Sequence, residues 1–104
     1  MIRGTTPDYI LSIDGHDLSN KTVFVTIRQG QIKITKSNQE LSISTDSEGS
    51  TIAFVLSQKD TLALQEGNAE VQVRFIDSDG VALATEIAPV QVKRVLYERV
   101  IAHG

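Results

Sequence analysis

The chain contains no cysteine, which rules out a disulfide framework and thiol chemistry and argues against a structural zinc site. Tryptophan is absent and aromatic residues make up only 5% of the sequence. Little material remains for the exposed aromatic platform on which sugar-binding sandwiches rely. No apolar run is long enough to cross a bilayer as a helix, and Met-Ile-Arg-Gly-Thr-Thr-Pro-Asp-Tyr-Ile-Leu-Ser-Ile lacks the long apolar region of a signal peptide. The net charge is only -3, with both signs interspersed, so nucleic acid is not expected as the main partner. Phosphate-cradling glycine loops and a G-x-S-x-G elbow are also missing. What remains is a globular composition, 40% hydrophobic and 22% charged over 104 residues. That is the size of one domain with a real core.

The clearest pattern lies between Val71 and Ile87. Val71, Val73 and Phe75 alternate with Gln72 and Arg74, the period of a strand with one buried face. Past a turn, Val81, Leu83 and Ile87 alternate with Ala82, Ala84 and Glu86. Pairing Phe75 with Leu83, Val73 with Thr85 and Val71 with Ile87 brings the apolar sets together and leaves Ser78-Asp79-Gly80 as the loop. Glycine sits where such a loop needs a positive φ.

The same reasoning extends along the chain. Residues 3–7 read as a polar, extended arm. Strands are expected over 8–13 (Tyr9, Leu11 and Ile13 on one side) and 21–29 (Val23, Val25 and Ile27 inward, Phe24 outward). Gly30-Gln31 then makes a two-residue loop pairing Ile27 with Ile34 and Arg28 with Lys33. Residues 37–40 link to a strand over 41–45. A polar loop over 46–50 leads to a strand over 51–56, with Ile52 and Phe54 opposite Thr45 and Ile43. Ser57 followed by Asp60 has the form of a capping box, with Gly67 as the helix stop and Leu62 and Leu64 tucked under the sheets. Pro89 marks a strand start or edge, with Val90, Val92 and Val95 continuing it. Residues 96–104 fit a strand tail, a short helix or a docking segment equally well. Lys33, Lys36, Lys93 and Arg94 guard the edges against indiscriminate association. Seven or eight short strands with turn signals and one helical turn near 58–65 predict an all-β, single antiparallel β-sandwich of immunoglobulin-like type.

Candidate chemistry is sparse. Asp14, His16 and Asp17 are metal-ligating types lying close together, but they are also ordinary turn residues. Asp77-Ser78-Asp79-Gly80 resembles the opening of a calcium loop, without the downstream glutamate, and the strand pattern already uses it as a turn. His16 and His103 are the only histidines, and neither sits in a nucleophile setting. Nothing distinguishes Glu48, Asp60, Glu66 and Glu70 from a solvated surface. The expectation is no catalytic residues, no metal and no cofactor, hence no enzyme.

Four segments carry a resemblance over nearly the whole chain: Arg3-Gly4-Thr5-Thr6-Pro7, Val23-Phe24-Val25-Thr26-Ile27-Arg28-Gln29, Leu56-Ser57-Gln58-Lys59-Asp60-Thr61-Leu62 and Glu70-Val71-Gln72-Val73-Arg74. In order and spacing they resemble a family of small immunoglobulin-like β-sandwich proteins encoded among the structural, tail-region genes of phages and prophages of Gram-positive bacteria. That family usually has Thr-Gln-Glu-Glu-Thr where this chain has Ser57-Gln58-Lys59-Asp60-Thr61. The cap and the acid survive, so the departure alters charge more than fold. The resemblance implies a non-enzymatic virion or tail-associated assembly protein that contacts other phage structural proteins or copies of itself as a homo-oligomer. It would act in the host cytoplasm during assembly or in the virion, without membrane or nucleic-acid partners. The rival readings are a carbohydrate or host-surface binding module and an inhibitor of a host defence enzyme. Expected exposure nominates Arg3, Thr5, Thr6, Arg28, Lys33 and Tyr97 as protein-contact residues.

Overall fold

A computed structural model describes residues 1–102; the end of the 96–104 tail, including His103, lies outside them. Eight strands are present among the described residues: β1 (Asp8–Asp14), β2 (Thr22–Gln29), β3 (Ile32–Ser37), β4 (Ser42–Asp46), β5 (Gly49–Val55), β6 (Gly67–Ile76), β7 (Ala82–Ala84) and β8 (Ala88–Val92). The helix α1 (Gln58–Ala63) lies between β5 and β6. A three-stranded sheet has the order β1-β5-β4, and a five-stranded sheet has β3-β2-β6-β7 with β8 also on β6. Every pairing between these strands is antiparallel. The inward faces of both sheets share one core that includes Ile13, Ile52 and Phe54 from the first and Val23, Val25, Val73 and Phe75 from the second. Read in chain order, β1 to β6 take the places of strands B, C, C′, D, E and F of an immunoglobulin-like sandwich, and β7 and β8 share the place of G. The fold is therefore an antiparallel β-sandwich of that type.

Local chemistry sets most of these elements. Tyr9, Leu11 and Ile13 face inward on β1, as do Val23, Val25 and Ile27 on β2. Gly30-Gln31 links β2 to β3 in the expected register, with Ile27 opposite Ile34 and Arg28 opposite Lys33. Ser57 caps α1: its hydroxyl accepts from the Asp60 N–H, and the Asp60 carboxylate accepts from the Ser57 N–H. The loop Ser78-Asp79-Gly80 is closed by Asp77, whose carboxylate accepts from the N–H groups of Asp79 and Val81. Gly80 has φ +82°, the positive value that loop requires.

The structure departs from the sequence-based expectation in several places. Phe75 is opposite Leu83 as expected, yet Val71 is opposite Ala88, not Ile87. One residue has been inserted within Thr85–Ile87, a bulge that breaks the strand into β7 and β8. At the bulge the Val73 N–H bonds to the Thr85 hydroxyl (3.0 Å), while the Thr85 N–H bonds to the Val73 carbonyl (2.8 Å). Ile87 is consequently 57% exposed. Leu83 points inward but stays 44% exposed, because a cleft separates it from Ile13 and His16. Val81, beyond the turn, is exposed as well.

β4 and β5 pair two residues away from the expected register, with Ile43 opposite Ile52 and Thr45 opposite Ser50. The Asp46 carboxylate accepts from the N–H groups of Glu48 and Gly49, which contracts the loop to Ser47-Glu48. Ser37–Glu40 is not a plain linker, since Asn38–Glu40 forms a 3₁₀ turn. The Asn38 side chain accepts from the Val23 N–H and donates to the Lys21 carbonyl, fixing the start of β2. Gly67 opens β6 and does not stop α1, which ends at Ala63. Val95 lies beyond the end of β8 and packs on Gly4.

Gly49 has the least room for a side chain among the glycines. Its φ is +153°, and a Cβ there would lie 2.3 Å from the Ile13 carbonyl oxygen. Gly80, also at positive φ, has open space around it. Gly80→Ala is expected to cost only about 1–2 kcal/mol, the backbone strain alone. Gly49→Ala must also displace β1, and is expected to cost at least about 3 kcal/mol. Urea unfolding midpoints of the two variants check this.

Candidate functional site

The first residues do not form a free arm. Met1 N donates to the Gln91 carbonyl (2.9 Å), and the Arg3 N–H donates to the Lys93 carbonyl (3.0 Å). Ile2 forms a parallel bridge with Lys93. Arg3, expected on the surface as a contact residue, is 8% exposed. Its Nε donates to the Leu64 carbonyl at 2.5 Å and its Nη2 to the Leu62 carbonyl at 2.9 Å. These are carbonyls at the end of α1 that a helix of this length leaves unpaired. Nη1 reaches Glu98 at 2.6 Å. Thr61, fully buried, donates its hydroxyl to the Thr5 carbonyl. Residues 1–6 are thus tied to the side of the five-stranded sheet and to α1.

That tie determines what lies beside β1. In an immunoglobulin-like sandwich with sheet order ABED, strand A flanks B; here B is β1, and its outer side pairs with no strand among the described residues. The direction of its hydrogen bonds follows from two bonds at its ends. The Gly15 N–H bonds to the Glu48 carbonyl, and the Leu56 N–H bonds to the Pro7 carbonyl. Both pairs are in the β1–β5 register. Alternation along an antiparallel ladder then turns the N–H and C=O groups of Tyr9, Leu11 and Ile13 toward β5. Those of Asp8, Ile10, Ser12 and Asp14 point away from the sheet, along the free edge.

A groove runs along this edge. One part, about 180 Å³, is lined by Leu11, Ser12, Ile13, Val73, Thr85 and Ala88 among others. The adjoining part, about 260 Å³, is lined by Ser12, Ile13, His16, Phe75, Leu83 and Thr85 among others. The bulge between β7 and β8 forms its far wall. No Lys or Arg stands in β1. By contrast β3, the edge of the other sheet, carries Lys33 outward and Lys36 on its inward side, the usual protection of an edge. Lys36 reaches Asp60 at 2.9 Å and Glu40 at 3.6 Å. The hydrogen bond that Lys36 donates to the Asp60 carboxylate is the main reason the ammonium titrates above its ordinary value. Burial pushes the Asp60 carboxyl up, but hydrogen bonds from Lys36 and Ser57 outweigh it and hold the group below the usual range.

The other nominated residues fall into two places. Arg28 and Lys33 stand side by side on the outer face of the β2–β3 hairpin, and Arg28 donates to the Gly30 carbonyl. Thr5 and Thr6 are exposed near Arg3, and Tyr97 is exposed next to Glu98, the residue Arg3 holds. The structure shows no contact between the two groups. The metal-ligating types have structural tasks. The His16 ring lies 5.3 Å from that of Phe75, and its carbonyl accepts from the Ser50 hydroxyl. Asp17 accepts from the hydroxyl and N–H of Ser19, chiefly the hydroxyl, which lowers its pKa. The β1 edge was not nominated from sequence. The signal available was a strand with no basic residue at all.

No protein-family model matches the chain, and no curated protein matches it significantly. Among solved structures it is similar to one titled "Structure or murine CRIg", at 12% identity over 92% of this chain and 90% of that one, with a TM-score of 0.38. The strand order of the two sheets by itself defines the immunoglobulin-like sandwich.

Arg3→Ala would leave the Leu62 and Leu64 carbonyls without their donor, at roughly 1–3 kcal/mol for each buried group left unpaired. Two such groups give an expected loss of about 2–6 kcal/mol in urea unfolding. Glu98→Gln should cost under about 1 kcal/mol, because that side chain is 62% exposed and such pairs contribute little.

Proposed function

We propose that this chain is a non-enzymatic protein-contact module that serves phage or prophage particle assembly, binding other structural proteins or copies of itself. The observation that carries the reading is the unprotected β1 edge beside an apolar groove, an arrangement suited to main-chain pairing with another polypeptide. Further apolar side chains are available for such contacts. Phe24, Ile76 and Ala82 line a shallow cleft on the outer face of the five-stranded sheet, and Ile10 and Val55 are exposed on the other sheet. The resemblance carried by the four segments above supplies the phage setting.

The test is deletion of the coding region from the genome that carries it, with electron microscopy of the particles and mass spectrometry of purified wild-type particles. The expected result is defective or absent tails on deletion. Normal particles at normal titre, with the chain missing from wild-type particles, would overturn the reading.

A further inference from the structure

We propose that copies of this chain stack head to tail, the outer face of the three-stranded sheet of one copy seating on the outer face of the five-stranded sheet of the next. The proposal rests on the contact-module reading and names a second copy as one of its partners.

The two faces differ in charge. β1, β4 and β5 contain no Lys or Arg, and their acids Asp8, Asp14 and Asp46 are all exposed. These alternate with the inward residues of their strands, so the carboxylates stand on the outer face. The outer face of the five-stranded sheet carries Arg28, Lys33 and Arg74 against Glu70 alone. Lys36, the remaining cation in those strands, is turned inward to Asp60. Stacking either face on its own kind would oppose like charges, whereas stacking one on the other matches them.

Apolar surface is placed to agree with the charge. On the three-stranded sheet Asp8 is directly opposite Val55, and Ile10 is the next outward residue along β1. Ile10 is 70% exposed and Val55 54%, so together they form a knob. On the five-stranded sheet Arg74 is directly opposite Phe24, and with Ile76 and Ala82 this pair lines a cleft of about 130 Å³. A void of that order holds a benzene-sized group, which leaves room for one aliphatic side chain of the knob. Farther along each sheet stands a pair of like charges. Asp14 and Asp46 flank Gly49 in one row, and Arg28 is opposite Lys33 in the other. The two pairs lie roughly 20 Å and roughly 14 Å from the knob and the cleft respectively, at strand spacing. Long arginine and lysine side chains take up the difference. Laying the faces together in this order seats the knob in the cleft, sets Asp8 beside Arg74, and brings Asp14 and Asp46 to Arg28 and Lys33. Because the two surfaces are different, each pair leaves one of each kind free. The contact therefore repeats from copy to copy, as a ring if the rotation closes and as a filament if it does not.

Two single substitutions test this. Val55→Lys puts a cation on the knob, on the middle strand and away from the β1 edge, and Phe24→Lys puts one in the cleft. Both positions are exposed, and circular dichroism confirms that the variants fold. By light scattering the wild-type chain is expected to grow past the dimer as its concentration rises. Its affinity should fall at least tenfold between about 50 mM and about 500 mM salt, as the charge pairs are screened. Either variant alone should associate at least tenfold more weakly than wild type. An equal mixture of the two should give a one-to-one dimer and nothing larger, because each variant keeps one sound face. A wild-type chain that stays monomeric up to about 1 mM, or one that stops at a closed dimer, would overturn the proposal. So would folded variants that associate as wild type does, or a mixture that stays monomeric. A particle defect on deletion without self-association would remove this inference and leave the contact-module reading standing. Head-to-tail association with normal particles would do the reverse.

Discussion

Arg3 spends its guanidinium on the Leu62 and Leu64 carbonyls at the end of α1 and on Glu98 in the tail. A buried cation is tolerable only where its donors are matched, so these acceptors fix where the first residues lie. They are laid against β8, with Ile2 bridged to Lys93, and cannot also pair with β1. The free edge of β1 is therefore a consequence of the Arg3 tie. Arg3, together with the backbone bonds of Met1 and Arg3 to Gln91 and Lys93, closes one flank of the sandwich and leaves the other open.

The two sheets treat their edges differently. On the β3 side Lys36 points inward to Asp60, whose carboxylate also caps α1, so edge protection and helix capping share one ion pair. On the β1 side there is no such charge, and the β7–β8 bulge holds the facing wall apart. An extended segment entering there would meet outward N–H and C=O groups on Ser12 and Asp14 and apolar surface from Leu11 and Leu83. Chain addition needs backbone partners and a place for alternate side chains, and this flank has both.

Much of this fold is legible in the sequence because local signals agree with the hydrophobic period. At the β6–β7 turn, Gly80 and the alternation both require Phe75 opposite Leu83. Where only the period speaks, it is blind in a predictable way. A slip of two residues keeps every side chain on its own face, so the β4–β5 register is set by the Asp46 carboxylate and not by the alternation. The bulge at Thr85–Ile87 reflects a side-chain hydroxyl taking a ladder bond, which no periodicity reports. The candidate site was harder still. Arg3 in a polar, proline-ended segment reads as a surface residue, since its partners lie 59, 61 and 95 residues away. The open edge of β1 is a property of what the neighbouring segment does elsewhere, and within β1 the lack of any Lys or Arg is its only trace.

Residue-resolved amide hydrogen exchange along β1 in dilute solution tests the open edge most directly. The account predicts alternation: slow exchange at Tyr9, Leu11 and Ile13, whose N–H groups bond to β5, and fast exchange at Ile10, Ser12 and Asp14. Uniform protection along the strand would show that something within the chain already covers the edge, and would contradict the account.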